Sequence, residues 1–130
     1  MDIEKQLAPF SLIEHDGNIS LYLCTSENYR KDLFKTRKKD GFTGTGYDWE
    51  SLATAFIDEI MPECKSCIKF DPENKMFCAY SEDLEIMKQF AVSFKNACDE
   101  DTVIRNIFAK AIPDEAPPKM SIKSILDLLK

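Results

Sequence analysis

The chain has 130 residues, 44% apolar and 11% aromatic with nine Phe, so one domain with a single ample core is expected and a wholly disordered chain is excluded. Its formal net charge is -6, from 23 acidic and 17 basic residues, and it lacks the basic excess with which a nucleic-acid binder neutralises phosphate. Residues 1–40 balance with seven charges of each sign; residues 41–130 hold ten basic and sixteen acidic groups and account for the whole excess.

There are five cysteines: Cys24, Cys64, Cys67, Cys78 and Cys98. An odd number beside an ample core argues against a secreted disulfide framework. The first residues contain no apolar signal region, and no stretch approaches membrane-spanning length. A soluble, cytoplasmic protein is the expectation.

In chain order, Phe10 to His15 and Ile19 to Thr25 read as two strands joined by a turn at Asp16-Gly17-Asn18. Ile19, Leu21 and Leu23 share one face of the second strand, which should be buried. Residues 28–38 read as a short helix ending in the basic run Arg37-Lys38-Lys39. Gly41, Gly44 and Gly46, three of the chain's four glycines, then make a shaped loop. Asp48 is expected to cap the next helix, with Trp49, Leu52, Ala53, Phe56, Ile57 and Ile60 as its apolar stripe and Pro62 at its end.

Cys67 to Phe70 and Lys75 to Tyr80 read as a second hairpin, with Met76, Cys78 and Tyr80 on one face. Ser81 is expected to cap the longest helix, residues 82–98. Glu82, Asp83 and Glu85 in its first turn suit the helix dipole. Leu84, Met87, Phe90, Ala91, Phe94 and Cys98 should form its buried face. Asp99-Glu100-Asp101 breaks it, and Thr102 opens another helix with Val103, Ile104, Ile107 and Phe108 inward. The expected division is an α+β domain over 1–115, then 116–130 as a linker at Ala116-Pro117-Pro118 and a short C-terminal helix carrying Ile122, Ile125, Leu126 and Leu129. Two hairpins interleaved with helices predict an antiparallel sheet of about four strands with helices packed on it.

Catalytic signals are weak. His15 is the only histidine, and it reads as a polar strand end rather than a general base. There is no G-x-S-x-G elbow, and the glycine loop is not followed by Lys-Ser/Thr, so it is not a P-loop. Cys64-Lys-Ser-Cys67 is one C-x-x-C with no second half, which speaks for free thiols over a zinc or redox site. No metal, no cofactor and no enzymatic activity are expected.

Particular words in the sequence carry a resemblance. Leu7-Ala-Pro-Phe10, then Gly41-Phe-Thr-Gly44-Thr-Gly46-Tyr-Asp-Trp49-Glu-Ser-Leu-Ala53, is similar to the immunity protein 51 family of bacterial polymorphic toxin systems. Phe70-Asp-Pro-Glu73 and Met76-Phe-Cys-Ala-Tyr-Ser81 add to it, over roughly residues 5–110. The resemblance implies a small α+β protein that binds and neutralises a cognate toxin domain, without catalysis. A non-catalytic adaptor or regulatory module is the alternative. Within the motif, Gly46, Tyr47, Asp48 and Trp49 read as fold-defining residues. The acidic groups Glu82, Asp83, Glu85 and Asp99, Glu100, Asp101 are the candidate partner-binding residues, since they concentrate the excess charge. No nucleic acid and no membrane enter this reading.

Overall fold

Residue alternation sets the sheet. The computed structural model, which describes residues 3–113, has four strands: β1 (Ser11–His15), β2 (Asn18–Cys24), β3 (Lys69–Phe70) and β4 (Met76–Ser81). They form one antiparallel sheet in the order β1-β2-β4-β3. Opposite Leu21 stands Ala79, and opposite Leu23 stands Phe77. With Ile19 they make a buried face. Because side chains alternate with period two, the partners between them, Ser20 with Tyr80 and Tyr22 with Cys78, face the other way. Met76, Cys78 and Tyr80 therefore do share a face, and it is the one turned from the core.

Among the described residues are five α-helices: α1 (Ile3–Leu7), α2 (Lys31–Lys35), α3 (Gly46–Ile60), α4 (Leu84–Asp99) and α5 (Asp101–Phe108). The long pair α3 and α4 lies on the buried face of β2 and β4, and α5 packs against both. This is the expected α+β architecture of a single domain, a four-stranded antiparallel sheet with packed helices. The predicted linker at 116–118 and the C-terminal helix lie outside the described residues.

Local chemistry moves several boundaries. The expected helix 28–38 shortens to α2 because Asn28 and Arg30 adopt left-handed φ values of 59° and 51°. The strand expected from Cys67 begins only at Lys69, since the Cys67 and Ile68 N–H groups both donate to the Cys64 carbonyl. Ser81 is not the cap of α4. It closes β4, its hydroxyl accepts the Asp83 N–H, and Asp83 caps the helix by accepting the Ile86 N–H. Three residues expected inward are exposed: Ile60 at 51%, Val103 at 41% and Leu84 at 37%. Each lies at an end of its helix or beside the stripe that faces the core. The helix α1 carries no cap or stripe long enough to announce it.

Trp49, 2% exposed, sits at the centre of the core. Its ring stacks on Tyr29 at 5.9 Å and 8° and meets Phe34 at 5.1 Å. Phe10, at 5.8 Å, and Phe94, at 6.1 Å, present edges to it. One side chain thus joins the segment before β1, the α2 region, α3 and α4. Removing a buried aromatic side chain costs about 3–5 kcal/mol, a large share of the stability of a domain this size. Trp49→Ala should therefore yield unfolded or insoluble protein. As the chain's single tryptophan, Trp49 should give native emission that is blue-shifted and resistant to iodide; red-shifted, readily quenched emission would overturn its central role.

Candidate partner-binding surface

The glycine loop proves to be a joint. The N-terminus of α3 presses against the turn between β3 and β4, where the Gly46 N–H donates to the Asn74 carbonyl at 3.0 Å. A Cβ on Gly46 would stand 2.0 Å from the Glu73 carbonyl oxygen and 2.2 Å from that of Met76. Glycine is the one residue that fits. Asp48 is not the helix cap as expected. Thr45 caps α3 by accepting the Asp48 N–H, and Asp48 returns the bond to the Thr45 N–H, a reciprocal capping box. The same carboxylate oxygen accepts from Thr43 at 2.7 Å and Gly44 at 2.8 Å. Buried Asp48 therefore holds the loop shut, Trp49 fills the core behind it, and Tyr47 is half-buried at the start of α3.

The two acidic groups differ in their surroundings. Glu82, Asp83 and Glu85 are exposed at the start of α4, and among the described residues no ion pair reaches them. Asp99 and Asp101, at the far end of α4, are engaged within the chain. Asp99 accepts from Tyr29 at 2.5 Å and pairs with Lys95. Asp101 pairs with Arg30 at 2.7 Å and Arg105 at 2.7 Å. Glu100 between them is exposed.

Arg30 is the hub of that end. Its side chain is only 14% exposed, one nitrogen donates to the Cys98 carbonyl at the end of α4, and another bridges Asp32 and Asp101. A cation on the terminal carbonyls of a helix is favoured by the helix dipole. Arg37 does the same for α5, donating to the Phe108 and Ala111 carbonyls while lying over the Phe42 and Phe108 rings at 4.8 and 5.2 Å. In the sequence Arg37 is part of a basic run, and Arg30 carries no distinguishing pattern. No sequence signal marks a cation as a cap for a helix some seventy residues away.

The remaining chemistry-bearing residues are separate from one another. His15 stands 3.0 Å from Asp16 with both side chains more than 80% exposed. Burial raises the thiol pKa of Cys64, with the Glu63 charge adding to it, and burial, with the Asp99 charge adding to it, drives that of Cys98 far up, so neither is a ready thiolate. Among the described residues, no cluster of His, Cys, Asp and Glu is arranged to hold a metal ion. No helix among them is long and apolar enough to cross a membrane.

A family model described as Immunity protein 51 matches residues 10–113. The chain belongs to that family. The match takes in the whole sheet, the glycine joint and both acidic groups. No curated protein and no solved structure matches the chain. The family's name implies an immunity protein against toxins.

Two outcomes test this geometry. Gly46→Ala should destabilise the protein by about 3 kcal/mol, because backbone rather than a movable side chain blocks the new methyl. A urea midpoint unchanged from wild type would contradict the close approach. The second concerns pH. Hydrogen bonds from Arg30 lower the carboxyl pKa of Asp32, and those from Arg30 and Arg105 lower that of Asp101. At Asp99 burial opposes the charged form, but Lys95 and Tyr29 outweigh it and its pKa is also lowered. Groups depressed in the folded state stabilise it above the ordinary carboxyl value of 3.8, and that contribution is lost as pH falls through their folded values. Wild-type stability should decline below about pH 4, and Arg30→Met should be less stable at pH 7 with a shallower acid decline. Parallel pH profiles for the two proteins would count against the hub.

Proposed function

We propose that the protein protects its cell by binding a cognate toxin domain in the cytoplasm and occluding that domain's working surface, without catalysis and without a cofactor. The family match over residues 10–113 carries this reading. The acidic balance of the chain supports it, since an anionic inhibitor is attracted to a basic channel such as a nuclease uses for its substrate. Of the acidic residues, Glu82, Asp83 and Glu85 supply the long-range attraction. Asp99, Glu100 and Asp101 contribute less, because Arg30, Lys95 and Arg105 offset the charge of Asp99 and Asp101. The two groups lie at opposite ends of α4, 16 residues long, hence about 24 Å apart at 1.5 Å per residue.

Co-expression with the toxin domain encoded beside its gene should restore growth, and failure to do so would remove the immunity reading. Stopped-flow association with that domain separates the charges. Glu82→Gln, Asp83→Asn and Glu85→Gln together should slow association by about tenfold at low salt and little at high salt. Asn keeps the helix cap at position 83, so folding should be spared. Asp99→Asn with Asp101→Asn should change the rate by much less. An association rate indifferent to salt and to both sets would leave immunity standing but remove the acidic groups from its mechanism.

A further inference from the structure

The described helices gather on one face of the sheet, and among the described residues no helix covers the other. An antiparallel sheet commonly turns one face to water, and that face is then polar along each strand. Here polar Ser11, Asn18 and Ser20 are interleaved with larger apolar and aromatic side chains. The outward residues of the central strands β2 and β4 include half-buried Tyr22, Met76 and Tyr80 and, beneath them, buried Cys78, and none of the outward residues on those strands is charged. Ile13, 51% exposed, extends the patch onto the edge strand β1. Among the strand residues of this face, His15 and Lys69 bear the ionisable nitrogens, both on edge strands. In a chain with 31% charged residues this is a local depletion. Tyr and Met without charge is the composition found at the centre of protein interfaces.

Charge returns at both ends of the patch. The pairing of Ile19 with Ser81 and of His15 with Asn18 brings the turn at Asp16 beside Glu82 and Asp83. A hollow of about 250 Å³ there is lined by Tyr80, Glu82, Asp83 and Lys69, so the acidic group and the neutral patch are continuous. At the other end the Thr25 N–H meets the Lys75 carbonyl, and the exposed acids Glu27, Asp71 and Glu73 stand against Lys31 and Lys75. Acid outnumbers base at each end.

We infer that this open sheet face is the surface on which the toxin docks, and that the toxin presents to it an apolar or aromatic centre bordered by basic residues. The inference rests on the immunity reading above and gives that reading a site. A second copy of the chain fits poorly, because both ends of the face are acidic and any alignment of two copies sets acid against acid. Size bears on the outline. The six residues of β4 span about 20 Å, and four strands at about 4.8 Å spacing give a patch of roughly 300 Å². A standard interface covers about 800 Å² on each partner, so the acidic turns at both ends belong to the contact.

The experiment uses the purified toxin domain encoded beside the gene, titrated against wild type, Ile13→Lys, Tyr22→Lys, Tyr80→Lys and, on the exposed surface of α4, Lys88→Ala. Each variant is first melted to establish that it folds. Wild type should bind and protect cells, the three face variants should bind about 30-fold or more weakly, and Lys88→Ala should match wild type. A second readout needs no substitution. Cys24 is exposed on the same face, and its maleimide labelling, followed by peptide mass, should fall in the complex. Wild type that binds and protects, with folded face variants binding equally and Cys24 still reactive, would overturn the docking face and leave immunity intact. Wild type that neither binds nor protects would overturn both. Cys24 protection that grows with protein concentration in the absence of toxin would make a second copy the occupant and overturn the inference.

Discussion

The close approach of α3 to the β3–β4 turn constrains the rest of the molecule. At Gly46 the helix backbone lies where any side chain would strike the Glu73 and Met76 carbonyls. That contact fixes the start of α3, and the bonds from Thr43, Gly44 and Thr45 to Asp48 fix the chain leading into it. Trp49 follows immediately and is aimed at the core, where Phe10, Tyr29, Phe34 and Phe94 close around it. A joint at one glycine thus sets the position of the largest core side chain, and through it the seating of α4 on the sheet.

The two halves of the chain also meet through charge. The balanced first forty residues include Arg30 and Arg37, and each reaches across to the last carbonyls of a helix in the acidic remainder. Asp99 and Asp101, counted as surplus acid in the sequence, are therefore working parts of the fold, tied to Arg30, Lys95 and Arg105. Surface ion pairs as a class contribute little. Arg30 differs because its side chain is mostly buried and serves a helix end as well as two carboxylates. Of the two acidic groups, the one that makes no ion pair among the described residues is Glu82, Asp83 and Glu85 at the opposite end of α4, and the proposed function draws on its charge.

Periodicity made most of the fold legible from residues alone. Alternation at Ile19, Leu21 and Leu23 and the helical stripes around Trp49 and Phe90 locate the sheet and the two long helices, because burial enforces those spacings directly. Caps were less legible. Thr45 and Asp83 displace Asp48 and Ser81 as caps by a few residues, since several side chains in each stretch can accept a backbone N–H and only the path of the chain chooses among them. The break at Asn28 and Arg30 was hidden for a related reason: left-handed conformations at non-glycine residues are imposed by surrounding structure. The open sheet face was hidden for another. Tyr22, Met76, Cys78 and Tyr80 look like core residues by composition, and only the register shows that they point away from it.

The same alternation separates recognition from folding. On β2 and β4 the inward residues Leu21, Leu23, Phe77 and Ala79 build the core, while their immediate neighbours Ser20, Tyr22, Cys78 and Tyr80 face out. A substitution at Tyr22 or Tyr80 changes the surface and leaves the core packing in place, whereas one residue along the strand it would cost that packing. On the proposed docking mode, an immunity protein gains from this division. Its outward side chains can be matched to one toxin while the inward set, the Gly46 joint and the Trp49 cluster stay fixed. Charge at the ends of the face would govern how fast the partners meet, and the aromatic centre how long they stay together, because rim charges act mainly on association and buried anchors on dissociation. The fold is then a constant support for a variable face, and the boundary between the two runs through every residue pair of the central strands.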